Sequence, residues 1–248
     1  MTALQVTVFD HLLVILLAAV LPVGGYFSLR KIRRQVAAGI AHTARVADYR
    51  NNMIIMWAVT LMTIILWLQF GRDWSALGMA PVSGSAFAVG LALLLAGSLV
   101  FFNVYYYLQV ERSDEAAKQV VTMTEGFEMV LPHTRRELRW FYGLSVTAGI
   151  TEEILYRGFL MAYLSAVMPM PAVIVVSSFI FAMAHLYQGI SGASRTFVVG
   201  LALAITYVLS GSLLFAIVAH VLIDVVGGRM IYSAFNRYPP AATAQETC

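Results

Sequence analysis

Six ionisable side chains stand in stretches of sequence that are otherwise almost uncharged: Glu152, Glu153, Arg157, His185, His220 and Asp224. They fall in three short motifs, Glu152-Glu153-Ile154-Leu155-Tyr156-Arg157, Phe181-Ala182-Met183-Ala184-His185 and His220-Val221-Leu222-Ile223-Asp224. Ionisable groups are costly in hydrocarbon, and those kept there mark function by default. The set offers a base, an acid and polarising groups. That suits water-dependent chemistry on a membrane-embedded substrate, or proton-linked transport.

Spacing divides the roles. Adjacent helical residues point about 100° apart, so Glu152 and Glu153 are expected on different faces. Glu153 and Arg157 are four apart in the favourable acid-before-base order, which reads as a buried ion pair. Glu152 is then free to face a cavity and trade protons near neutral pH. The competing reading makes all three charges one structural network. His185 reads either as a catalyst or as an interfacial, hydrogen-bonded histidine. Phe181, one turn before it, reads as a packing residue that shapes the pocket. His220 and Asp224 share a helix face, where an Asp can fix the tautomer of a His. They can equally be metal ligands or a polar pair joining helices. Counted from the nearest basic residues, the groups are expected in the half of the bundle toward the basic loops. Gly149, Gly158 and the Gly227-Gly228 pair flank the motifs, where small residues let helices approach.

The elements that position these groups are membrane spans. The chain is 60% hydrophobic and 12% charged, about half the charge of a soluble domain. Apolar runs long enough to cross a bilayer predict an all-α, polytopic transmembrane bundle of about seven spans, at 9–29, 52–70, 87–108, 140–167, 172–186, 196–209 and 212–231. A further interfacial helix is expected over 32–50. Residues 1–131 read as scaffold spans without buried charge, 132–232 as the core that carries the chemistry, and 233–248 as a flexible cytoplasmic tail. Thr134 and Glu137 have the spacing of a helix-start capping box.

Of the sixteen Lys and Arg residues, fourteen fall in loops on one side, Arg72 falls on the other and Arg157 lies within a span. The positive-inside rule then puts the N-terminus outside and the C-terminus in the cytoplasm, in a multi-pass protein of the inner (plasma) membrane. The basic cluster follows the first apolar run rather than preceding it, which argues against a cleaved signal peptide. The single cysteine, Cys248, excludes an intrachain disulfide and a cysteine-based metal cluster. The basic loops read as topology determinants facing anionic lipid, with no nucleic-acid partner.

Glu-Glu-x-x-x-Arg, Phe-x-x-x-His and His-x-x-x-Asp, in that order in successive apolar segments, resemble the signature of the CAAX-protease and bacteriocin-processing family of intramembrane glutamic endopeptidases, bacterial type. The resemblance covers about 132–228. It implies a membrane-embedded peptidase in which Glu152 and His185 activate a water, while His220 and Asp224 stabilise the oxyanion. Glu153, Arg157 and Phe181 would support them. It implies no cofactor, with zinc bound by the two histidines, Glu152 and Asp224 as the alternative. Eukaryotic prenyl-protein members carry Asn where this chain has Asp224. An ionised Asp cannot donate to an oxyanion, so Asp224 is protonated, orients His220 or binds a metal. The implied partner is a membrane-associated peptide or protein cleaved near its terminus. A non-catalytic immunity or adaptor protein on the same scaffold, or a proton-coupled transporter, are the competing functions. The transporter should show repeat symmetry, and the sequence shows none.

Overall fold

The computed structural model describes residues 6–240, and every regular element among them is helical. Among the described residues eight helices, besides short 3-10 turns, build the fold: α1 Val8–Ala37, α2 Ala41–Gln69, α3 Ala86–Arg112, α4 Asp114–Met123, α5 over 135–165, α6 Met170–Ala184, α7 Gly189–Ser210 and α8 Leu214–Arg237. All but α4 coincide with the seven apolar runs. Five of them, α1, α2, α3, α7 and α8, are long and apolar enough to cross a membrane. Helix α6 is apolar but short, and α5 is interrupted by a π-helical stretch, Glu153–Leu160, that carries two of its charges. Large apolar side chains such as Phe87, Phe101, Phe102 and Ile190 lie exposed on the outside of the bundle, as expected of a surface that meets lipid.

Local chemistry sets the boundaries. Asp10 and Thr7 cap α1 reciprocally, with the Thr7 amide donating to Asp10 at 2.7 Å. Within α1 a π-helical turn, Leu16–Val20, precedes Pro22. Pro22 has no amide to donate and crowds the carbonyl four residues back, so the helix widens there. The expected interfacial helix over 32–50 does not form as a separate element. Gly39, at φ 76°, turns the chain in a left-handed conformation open to glycine. Residues 32–37 therefore finish α1, and residues 41–50 begin α2. The extra short helix lies instead at α4, in the stretch read as a polar linker. It starts on the Ser113 cap and buries Ala117 and Val120. Residues 233–237, expected to open a flexible tail, complete α8. Cys248 lies outside the described residues.

Contacts at the two ends show the rods alternating in direction. At one end Arg72 pairs with Asp10 at 2.6 Å, His11 meets the Tyr163 hydroxyl at 2.8 Å, and the Leu213 amide donates to Gly78 at 3.0 Å. The α2–α3 connection folds inward here, burying Leu77 against α5. At the other end Arg33 donates to the Gly126 carbonyl, Tyr49 to the Val130 carbonyl, and Arg237 bonds Asp114. The basic residues collect at this second end.

The second end is also tied by a buried ionic knot. Thr134 and Glu137 form the capping box that opens α5. The fully buried Glu137 carboxylate accepts from the His133 and Thr134 amides at 2.7 and 2.9 Å, and from Arg45 at 3.4 Å. It also meets His42 at 2.8 Å. Burial alone would lift this carboxyl, but the His133 amide, His42 and Arg45 together hold it below the usual carboxylate range. Burial, and then the charge of Arg45, push His133 down to about 4.

Helix α5 is the axis of the bundle. All eight residues of its π-helical stretch are buried. Leu13 and Leu17 of α1, Trp67 of α2, Val173 and Phe181 of α6 and Ala204 of α7 pack around it. Lipid is as apolar as leucine, so close packing rather than dehydration holds such rods together, and small residues at the contacts allow it.

Candidate active site

The three motifs meet around His220. This side chain is buried on α8, and its Nδ1 lies 2.8 Å from Glu153 Oε1. The same Glu153 oxygen accepts from Arg157 Nη1 at 2.8 Å. Arg157 also donates to the Gly200 carbonyl of α7 at 3.1 Å, and its guanidinium lies over the Phe181 ring at 4.3 Å. The Glu153–Arg157 pair expected from the spacing is thus present, but it is one side of a larger arrangement that also holds His220. The second Glu153 oxygen, Oε2, is buried without a partner.

The other ring nitrogen of His220 faces two carboxyl groups. Nε2 lies 3.7 Å from Glu152 Oε2 and 3.6 Å from Asp224 Oδ2. Glu152 and Glu153, expected on separate faces, therefore grip the imidazole from its two sides. The α-to-π transition falls between them, at Glu152 and Glu153, and such bulges are frequent at functional sites. The side chain of Glu153 is fully buried, whereas Glu152 is 17% and Asp224 35% exposed. Glu153 thus sits behind the ring, and the more accessible pair stands in front. The bond to Nδ1 that orients His220 comes from Glu153, not from Asp224. A carboxylate at Nδ1 requires an N–H there. Two carboxyl oxygens near Nε2 then require a proton between them, on the ring or on one of the acids.

His185 ends α6 and lies beside Phe181. Its Nδ1 is 3.0 Å from the Phe181 carbonyl, which can only accept. The ring therefore carries its proton on Nδ1 and keeps Nε2 as a free acceptor. Phe181 is buried and touches both histidines, with ring centroids 4.8 Å from His185 and 6.0 Å from His220. Tyr156 stacks edge-on to Phe181 at 5.1 Å. His185 lies within electrostatic reach of Asp224 and His220. All seven residues singled out in the sequence are brought into one cluster.

The sequence did not point to Tyr187, whose hydroxyl accepts from Gln188 at 3.1 Å and which lies within electrostatic reach of Glu152 and Asp224. Nor did it point to the Gly200 carbonyl. A tyrosine two residues beyond a histidine carries no motif, and a backbone acceptor has no sequence signal.

Gly149 sets the approach of α5 to α8. A Cβ there would lie 2.4 Å from Val221 Cγ2 and 2.9 Å from the Val221 amide nitrogen. Gly149 is one turn before Glu152 and Glu153, and Val221 follows His220. Only a glycine lets the backbones come close enough for both glutamates to reach the ring. Along α8, His220 is six residues from Leu214 and seventeen from Arg237, about 9 and 26 Å at helical rise. The site therefore lies in the half of α8 away from the basic end, which corrects the basic-side position expected from the loops. Among the described residues, no group of three or more His, Cys, Asp or Glu side chains is arranged to hold a metal ion.

Residues 134–226 match the family model described as type II CAAX prenyl endopeptidase Rce1-like. The match starts at the Thr134 cap and ends two residues beyond Asp224, so it holds all three motifs. This stretch is similar to Rce1-like endopeptidases, in keeping with the family that the motifs resemble. No curated protein and no solved structure matches the chain.

Proposed function

We propose that this multi-pass membrane protein is an intramembrane endopeptidase that cleaves a membrane-associated peptide or protein near its terminus, using water activated by Glu152 and His185. The observation that carries the reading is the placement of the Glu152 carboxylate 3.7 Å from His220 Nε2, with His220 fixed from behind by Glu153 at 2.8 Å. This supports a general base next to a pre-oriented donor, the pair that peptide hydrolysis needs.

The residues divide the reaction between them. Glu152, with the free Nε2 of His185, takes a proton from water as its oxygen bonds the scissile carbonyl carbon. The carbonyl oxygen becomes an oxyanion, which accepts from the Nε2–H of a His220 protonated on both ring nitrogens and from a protonated Asp224. Collapse of the tetrahedral species breaks the C–N bond, and the proton held by Glu152 passes to the leaving amine. Glu153 and Arg157 do not touch the reacting atoms. They hold the His220 ring, with Arg157 paired to the same Glu153 oxygen. No metal enters this scheme. A zinc enzyme would draw on the same Glu152, His185, His220 and Asp224 side chains.

The basic-residue asymmetry supports a location in the inner (plasma) membrane of a bacterial-type cell, with the basic end cytoplasmic. Intact motifs favour catalysis over an immunity or adaptor role. The deciding experiment compares membrane peptides from cells carrying wild type and Glu152→Gln. Peptides that accumulate uncleaved only in the variant support the proposal. Identical peptide sets, with the variant present in the membrane at wild-type level, reject it.

A further inference from the structure

The same two helices that carry the candidate site diverge toward the basic end and leave a cleft between them. It has a volume of about 730 Å³ and is lined by Arg135, Arg139 and Tyr142 of α5 and by Arg229, Tyr232 and Arg237 of α8, with no acidic side chain in its lining. Arg135, Arg139 and Tyr142 on α5, and Arg229, Tyr232, Ser233 and Asn236 on α8, recur at three- and four-residue spacing, so each helix presents one continuous stripe to the cleft. The divergence begins where Phe141 packs against Gly228, since a Cβ there would lie 2.5 Å from the Phe141 ring.

Among the described residues, half of the guanidinium groups in the cleft have no ion-pair partner or acidic neighbour. Arg237 is engaged by Asp114 and the Val110 carbonyl. Arg229 donates to the Tyr107 hydroxyl at 3.5 Å, with Glu111 in electrostatic reach. Among the described residues, Arg135 and Arg139 have no ion-pair partner. Four guanidinium groups are thus held within one concavity by two helices, at net cost unless an anion joins them. Guanidinium matches phosphate in a two-pronged geometry. The position also fits a bilayer surface. Trp140 is exposed on α5 beside the cleft, as interfacial aromatic residues are. Basic pockets between transmembrane helices hold anionic head groups.

We infer that the α5–α8 cleft binds the phosphate head group of an anionic phospholipid. Arg139 and Arg229 bridge it across the two helices, with Tyr142 and Tyr232 supplying hydroxyl donors. A phosphate held there joins the helix that bears Glu152 to the helix that bears His220, about 20 and 13 Å away along their axes. The binding itself does not depend on peptide hydrolysis, so the two proposals stand or fall separately.

The test uses purified full-length protein in neutral detergent, titrated with short-chain phosphatidylglycerol, short-chain phosphatidylcholine or glycerol 3-phosphate and followed by thermal unfolding. Phosphatidylglycerol should raise the melting temperature saturably, with phosphatidylcholine at least about tenfold weaker. Arg139→Gln with Arg229→Gln should weaken the phosphatidylglycerol response about thirtyfold. Both side chains are exposed, so the double variant should fold. Arg30→Gln with Arg34→Gln, on the basic face of α1, should leave the response intact. Equal stabilisation by glycerol 3-phosphate would assign the cleft to a soluble phosphate and overturn the lipid. Equal stabilisation by phosphatidylcholine, or equal loss in the α1 variant, would overturn the cleft as the site.

Discussion

His220 Nδ1 and Arg157 Nη1 bind the same oxygen of Glu153, each at 2.8 Å. One carboxylate therefore ties α8 to α5, and Arg157 continues the tie to α7 through the Gly200 carbonyl. This makes Glu153 a positioning residue as well as a counter-ion. Its removal has two consequences at once: a cation loses its partner in the core, and the histidine ring loses the bond that orients it.

The two adjacent glutamates should therefore fail differently. Glu153→Gln strands the buried Arg157 and should cost about 3–5 kcal/mol of stability. Glu152→Gln removes the more accessible carboxylate in front of the ring. It should leave the melting temperature near that of wild type while processing falls at least about 100-fold. Thermal unfolding in detergent and a peptide-processing assay on the same preparations separate the two. A stable, inactive Glu153→Gln beside an unstable Glu152→Gln would reverse the roles.

Gly149→Ala tests whether helix approach sets the site. The added Cβ would lie 2.4 Å from Val221 Cγ2 and 2.9 Å from its amide nitrogen, so α5 and α8 must separate. The chain should still insert into the membrane, because no charge is added or removed. Activity should drop steeply, since a displacement of about 1 Å can cost about 100-fold in rate. Ser at the same position should behave like Ala, and a fully active Ala variant would show that the contact does not control the Glu152–His220 distance.

Much of this arrangement was legible in the chain. The capping box at Thr134 and Glu137, the Glu153–Arg157 pair and the glycine before the two glutamates all follow from spacing. What spacing could not supply was the second partner of Glu153. That contact joins residues 67 positions apart and depends on the π-helical turn, which turns two neighbouring carboxylates toward one ring. The expected helix over 32–50 failed for a local reason. Its charges spread like those of an interfacial helix, but Gly39 reverses the chain in the middle of it. Helix α4 was hidden in a polar linker because its buried face consists of little more than Ala117 and Val120.

The basic end should be cytoplasmic. A reporter fused after Arg34, or within 111–139, should read as cytoplasmic, and one placed between Gly71 and Gly84 as external. Arg72 pairs with Asp10 at 2.6 Å, so the single basic residue of the opposite end is already neutralised and does not oppose this orientation. An external signal from the 111–139 fusion would invert the bundle.

Stability should fall on mild acidification, through His133. Its folded value of about 4 lies below the usual histidine value of 6.5, because burial and Arg45 disfavour the proton. Above about pH 6.5 neither state binds it. As the pH falls from there toward 4, the unfolded chain takes up a proton that the folded chain refuses, so folding weakens. Glu137 adds a second loss at lower pH, since its folded carboxyl is held below 4.5 and must be protonated on further acidification. Melting temperatures between pH 8 and 4.5 should show the first loss in wild type. His133→Asn should flatten the slope above pH 5, and an unchanged slope in that variant would assign it to other groups.

Asp224→Asn distinguishes a metal-free site from a zinc site built on the same side chains. Asp224 Oδ2 lies 3.6 Å from His220 Nε2, on the side of the ring opposite Glu153. If this group donates to the oxyanion, Asn can replace it, because its amide N–H donates without needing a proton from solution. Activity should then stay within about tenfold of wild type. It should also lose any fall at higher pH that stems from ionisation of Asp224. If this group holds zinc, an anionic ligand is lost and metal affinity falls with it. Chelator treatment of the wild type completes the comparison. We expect no inhibition by chelators and an active Asn variant. Inhibition that added zinc reverses, together with an inactive Asn variant, would move the chemistry to a metal while leaving Glu152, His185 and His220 at its centre.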